Sequence, residues 1–124
     1  MADKDALVTR SDNKDQVEHA RSTVKANRKA RLADYRAVLA TVEGRRLLWD
    51  LLGHCRVFES VYHPGPQIYA LAAKQDVGHY VLININDADP ESVFVMMREA
   101  QRARKRQRDE NAAVHQQSQE GDED

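Results

Sequence analysis

The sequence predicts an all-α protein: a small helical core of three to four helices, a long N-terminal helical arm, and an extended C-terminal helix ending in a disordered acidic tail. Three observations predict it. No proline or glycine interrupts the chain from Asp12 to Thr41. The large aliphatic and aromatic residues crowd into the middle of the chain and recur there at three- and four-residue spacing. The one segment rich in β-branched residues has no second strand to pair with.

The first element runs from Asp12 to about Thr41 and is rich in the strong helix formers Ala, Arg and Lys. Ser11 or Asp12 supplies a capping oxygen. At ~1.5 Å per residue this helix would be about 45 Å long. Its first half offers only Val17, Ala20 and Val24 as an apolar seam, with Asn27 and Arg31 where the next contacts should fall. So weak a stripe needs a partner surface. From Leu32 the stripe sharpens through Tyr35, Leu39, Val42, Trp49 and Leu52, with a gap at Arg45 and Arg46. Two readings fit this stretch. Thr41 caps a second helix from Val42 to Leu52 that Gly53 closes, or one helix runs through Gly44 at a cost of about 1 kcal/mol.

His63-Pro64-Gly65-Pro66 cannot be helical and marks a loop. In Gln67 to Asn86, the positions Ile68, Leu71, Ala72, Gln75, His79, Leu82 and Ile85 suit a helix. Tyr80 to Asn86 suits a strand by propensity. Helix is favoured, because a lone strand leaves its backbone unsatisfied. The last helix has the clearest start: Asp89 as cap, Pro90 at the first position and Glu91 in the first turn. Val93, Phe94, Met97 and Ala100 give it an inner face that Met96 and Met97 straddle, and Arg102 to Arg108 extend it as a bare basic rod. Trp49, Leu52, Phe58, Leu71, Leu82, Phe94 and Met97 are the expected core.

The chain therefore divides into a flexible N-terminus (residues 1–11), a basic helical arm (12–37), a helical core (38–101) and a basic extension with an acidic tail (102–124). The 124 residues are a single-domain length. The globular part is only about 60 residues, marginal without partners. The net charge of −1 hides blocks of charge. Basic residues dominate from Arg10 to Arg36 and again from Arg98 to Arg108, and the tail from Asp109 to Asp124 is acidic. Such blocks serve as interaction segments when they are not simply solvated helix faces. Arg21, Lys25, Arg28, Arg102, Arg104, Arg106 and Arg108 are the candidate contacts for a partner or a genome.

Chemistry is sparse. His54, Cys55, His63 and His79 could supply metal ligands, yet their spacing matches no zinc module. Cys55 has no evident carboxylate-oriented base. Asp89 is accounted for as a cap, and no phosphate-binding glycine loop is present. No catalytic, metal or cofactor residue is assigned, and neither an enzyme activity nor a small-molecule substrate is expected. The single cysteine fits a reducing compartment. No run approaches the roughly 18 residues of a membrane span, and Met1 to Asp5 offers no signal peptide.

The string Gly44-Arg45-Arg46-Leu47-Leu48-Trp49-Asp50-Leu51-Leu52, then Val57-Phe58, Val77-Gly78, Asp89-Pro90-Glu91 and Met96-Met97-Arg98-Glu99, resembles a small virion structural protein family of short-tailed bacteriophages, named after a Bordetella phage. The likeness covers about Gly44 to Gln101. Ala73-Lys74-Gln75-Asp76 departs from the Gly and Arg that family members tend to carry ahead of the Val-Gly pair. The resemblance implies a non-catalytic role in the particle after synthesis in the host cytoplasm, portal-proximal or internal. The small core and arms that cannot bury themselves within one chain favour assembly in multiple copies, onto identical neighbours or other virion proteins, and the basic arms allow non-specific contact with packaged DNA. A basic helical nucleic-acid-binding or scaffolding protein is the alternative.

Overall fold

A computed structural model describes residues 2–122, with side-chain surroundings for residues 12–121. Four helices follow one another: α1 (Ala2–Leu39), α2 (Val42–His54), α3 (Gln67–Ala88) and α4 (Ser92–Asp122). The described residues contain no strand, and Tyr80 to Asn86 lies within α3.

Two ends differ from expectation. α1 starts at Ala2 and takes in the segment expected to be flexible, so Ser11 and Asp12 lie inside the helix rather than at its start. α4 carries residues 109–122 as helix where a disordered tail was expected, while Glu123 and Asp124 lie outside the described residues. Both segments are free of proline and contain good helix formers, Ala112, Ala113 and the glutamines in the second case. Once a helix is nucleated on the core, each added residue costs little.

The break between α1 and α2 belongs to Thr41. Its backbone is extended (φ −109°, ψ 149°), and its Oγ1 accepts the Gly44 N–H at 3.0 Å. The two-helix reading is the observed one. A Cβ on Gly44 would overlap the Val38 carbonyl oxygen and lie 2.8 Å from Thr41 Oγ1, so glycine there permits the tight corner. Gly53 does not close α2, which continues to His54; Arg56 instead adopts the left-handed conformation (φ 54°) that turns the chain. Gln75 of α3 fastens that turn, its Nε2 donating to the Arg56 and Glu59 carbonyls at 2.9 and 2.8 Å. At Gly78 a Cβ would overlap Val57 Cγ2 and lie 2.5 Å from Cys55 Cβ, so α3 rests directly on the segment that follows α2.

Asp89 ends one helix and starts the next. Its N–H donates to the Ile85 carbonyl at 2.8 Å, while its carboxylate accepts from the Glu91 N–H at 3.1 Å and the Ser92 hydroxyl at 2.9 Å. Pro90 disfavours helical backbone at the residue before it, so Asp89 is extended (φ −156°, ψ 103°) and the chain turns there.

α2, α3 and α4 each contribute one of the largest fully buried side chains: Leu52, Ile85 and Met96. Leu32 and Leu39 bring the C-terminal part of α1 into the same cluster. Trp49, Leu82 and Met97 pack against it partly buried, as does Tyr35, whose hydroxyl pKa is raised by burial and by Tyr80 against the lowering effect of Arg31. Three expected core residues are not in it: Leu71, which is half-buried on α3 away from the cluster, Phe58 and Phe94. Phe94 is 59% exposed and Phe58 51% exposed. α4 turns Val93 and Met96 inward, and Phe94, about 100° further round the helix than Val93, points away. Phe58 lies at the rim against Trp49, ring centroids 5.6 Å apart.

This register gives a direct test by urea denaturation. Met96→Ala is expected to cost about 2–5 kcal/mol, and Phe94→Ala no more than about 0.5 kcal/mol. The reverse ranking would put Phe94 in the core.

Candidate interaction surface

Arginines, rather than apolar side chains alone, dock α1 on the end of α3. Arg28 pairs with Asp87 at 3.2 Å. The Arg31 Nε donates to Asn84 Oδ1 at 3.0 Å, and its guanidinium lies 5.9 Å from the centre of the Tyr80 ring. Asn84 is buried and fully used, because its Nδ2 donates to the Tyr80 carbonyl at 2.8 Å. Arg36 Nε donates to the Ala88 carbonyl at 3.0 Å, a cation at the negative end of α3.

A second arginine system joins three helices. Arg45 Nε donates to Glu99 Oε1 of α4 at 2.7 Å, and its Nη1 donates to the Leu39 carbonyl at the end of α1 at 2.8 Å. Both side chains are mostly buried, with exposures of 18% and 27%. The Arg45–Arg46 gap in the apolar stripe is thus the point where a charged pair replaces apolar packing.

Beside this clamp, α2 and α4 leave an open groove of about 580 Å³. Val42, Trp49, Met96, Ala100 and Ala103 supply apolar surface to it, and Arg45, Arg46, Arg102, Arg104 and Arg106 supply positive charge. Its carboxylates are Asp50 and Glu99, the latter taken by Arg45. Among the described residues, Arg46, Arg102, Arg104 and Arg106 enter no ion pair. Beyond the groove, Arg98, Arg102, Lys105 and Arg108 line a shallower face of α4, so positive charge surrounds this stretch of the helix.

The residues expected to contact a partner separate into three groups. Arg102, Arg104 and Arg106 meet in the groove, and Arg108 lies just past it. Arg21 and Lys25 are exposed on the free part of α1, and among the described residues no ion pair joins them to α4. Arg28 differs: its pairing with Asp87 makes it part of the base of the arm. Sequence reasoning missed the contribution of α2, where Arg46 and Trp49 wall the groove; three-four spacing between Arg46 and Asp50 was the available signal. Among the described residues, no three His, Cys, Asp or Glu side chains gather to hold a metal ion, and no helix is long and apolar enough to cross a membrane. Cys55 is buried where α3 rests on the end of α2.

The geometry defines an all-α protein with a compact four-helix junction and a basic groove on one side. Residues 35–103, more than half of the chain, match the family model described as Bbp19-like phage protein. The chain belongs to that family. Every motif on which the resemblance was read falls within the matched segment, and the Arg45–Glu99 pair ties the first of them to the last. None of the curated proteins and none of the solved structures matches the chain.

The clamp and the groove separate experimentally. Arg45→Met leaves Glu99 without its partner and is expected to cost about 2–3 kcal/mol. Adding Glu99→Leu to it should recover most of that loss, since removing both members of a buried pair is far cheaper than removing one. Arg102→Gln with Arg106→Gln should shift stability by no more than about 0.5 kcal/mol. Thermal melts followed by circular dichroism read all three.

Proposed function

We propose that this chain is a non-catalytic structural component of a bacteriophage particle, assembled in multiple copies through its helices and seated near the portal or inside the head. The observation that carries the reading, beside membership of a phage protein family, is the exposure of the two arms: residues 12–30 of α1 and 101–121 of α4 are exposed throughout. A helix solvated on every face is marginal by itself. Contacts with identical copies or with other virion proteins would give such arms a surface to bury against, and would stabilise the chain by mass action. Synthesis in the host cytoplasm followed by incorporation into the virion is the corresponding location.

A second reading is a nucleic-acid-binding or scaffolding protein. The positive charge surrounding α4 from Arg98 to Arg108 favours it, since neutralised phosphates release counterions whatever their sequence.

Quantitative mass spectrometry of purified particles tests the first reading. Several copies per particle are expected, and absence of the chain from particles made in cells that express it would overturn the proposal. Gel shifts on duplex DNA test the second: phosphate contact by α4 predicts binding that weakens steeply between about 50 and about 200 mM salt. Failure to bind at the lower salt removes that reading.

A further inference from the structure

The charge blocks of α4 sit on one rigid element. Its basic stretch, Arg98 to Arg108, gives way at Asp109 to the acidic one, Asp109, Glu110, Glu120 and Asp122, with Glu123 and Asp124 following in sequence. The helix is continuous from Ser92 to Asp122. At ~1.5 Å per residue, Glu120 therefore stands about 20 Å beyond Arg106 along the axis. Asp109 and Glu110 lie one turn from Lys105 and Arg106 on the same helix, but Glu120 and Asp122, held in this way, cannot fold back to neutralise their own groove. A second chain can supply what the first cannot.

The geometry points to a two-fold dimer in which the α4 helices pair antiparallel, each copy's acidic end entering the other's groove between α2 and α4. This inference rests on the multiple-copy assembly proposed above and names the surface and the partner. Three features of the chain favour it. In a two-fold pair the order of charge, basic then acidic, is complementary to itself only when the helices run in opposite directions, since a parallel two-fold pair sets like charges side by side. Glu110, Ala113, Val114 and Gln117 share one helix face, and Val114 is 65% exposed, an apolar side chain outside the core of the monomer. The groove meets that face with the small residues Ala100 and Ala103 beside Trp49, and frames it with Arg46, Arg102 and Arg106. Duplex DNA fits this surface less well: the groove is partly apolar and carries the Asp50 carboxylate, which repels phosphate.

Charge exchange on the full-length protein tests the pairing. The groove variant carries Arg102→Glu and Arg106→Glu, and the tail variant carries Glu110→Lys and Glu120→Lys. All four positions are exposed, so both variants should keep the helical content and melting behaviour of the parent monomer. Sedimentation velocity should show the natural chain as a species of two chains at high concentration and low salt. Its association constant should fall at least about tenfold as salt rises from about 0.1 to about 1 M, where the screening length shrinks from about 10 to about 3 Å. Each variant alone should be monomeric, and an equimolar mixture should restore the dimer, because the groove of each then faces a tail of opposite charge. A natural chain that stays monomeric, variants that associate as the natural chain does, or a mixture that fails to recover would each overturn the pairing. So would a groove variant that still dimerises but no longer shifts duplex DNA, which would assign the groove to nucleic acid. Particles that hold the chain although it never dimerises through α4 would sink this inference and leave the virion reading intact. Salt-sensitive dimers absent from every particle would do the opposite.

Discussion

The fold depends on how a small core is closed at its polar edge. Leu52, Ile85 and Met96 bury fully at the meeting of α2, α3 and α4, but so few side chains cannot alone fix the directions of helices as long as α1 and α4. Arg45 fixes two of them at once. Its guanidinium holds the Glu99 carboxylate on α4 and the last free carbonyls of α1 at Leu39, within hydrogen-bond distance of both. The planar fork of an arginine serves two acceptors in different directions, which a lysine ammonium does with less angular definition. The pairing is mostly buried, so neither partner is easily replaced singly, and it links the Gly44-Arg45-Arg46 motif to the Met96-Met97-Arg98-Glu99 motif across 54 residues of sequence.

The same device recurs at the other end of the core. Arg28, Arg31 and Arg36 approach α3 at Asp87, Asn84 and the Ala88 carbonyl, where the helix end offers unsatisfied acceptors. Polar docking of this kind explains how α1 can carry so little apolar surface before Leu32 and still project in a defined direction. It also accounts for the two roles of arginine in this chain. Where an arginine faces a helix end or a carboxylate it is structural, and where it lies past Gln101 it meets only solvent.

Much of the fold was legible in the sequence, because the signals were local. The Thr41 cap, the Pro-Gly-Pro loop and the Asp89-Pro90 start of α4 each act through atoms within a few residues. The helical state of Tyr80 to Asn86 followed from the lack of a pairing strand, against β-propensity. What was lost was register and distant pairing. The inner face of α4 was read with Phe94 on it, where Val93 and Met96 are the buried residues, since a large aromatic is the stronger apolar signal. Arg31 and Arg45 looked like interruptions of an apolar stripe because their partners, Asn84 and Glu99, lie in other helices. Half of the groove was visible as the run Arg102 to Arg108; the α2 wall was not, because its position depends on the crossing of two helices rather than on either one.

The extent of α4 alters the electrostatics more than its composition does. A disordered acidic tail samples the volume around its own basic segment and screens it at an effective concentration set by the tether. A helical tail points one way and cannot. With tail and basic stretch on a single rod, the near-zero net charge of the chain coexists with a strong dipole along α4, and Glu120 and Asp122 are held away from the basic stretch. The family match ends at Ala103, just where this rod leaves the core, so the junction shared with the family is what aims the rod, and its charges from Arg104 to the acidic end lie beyond.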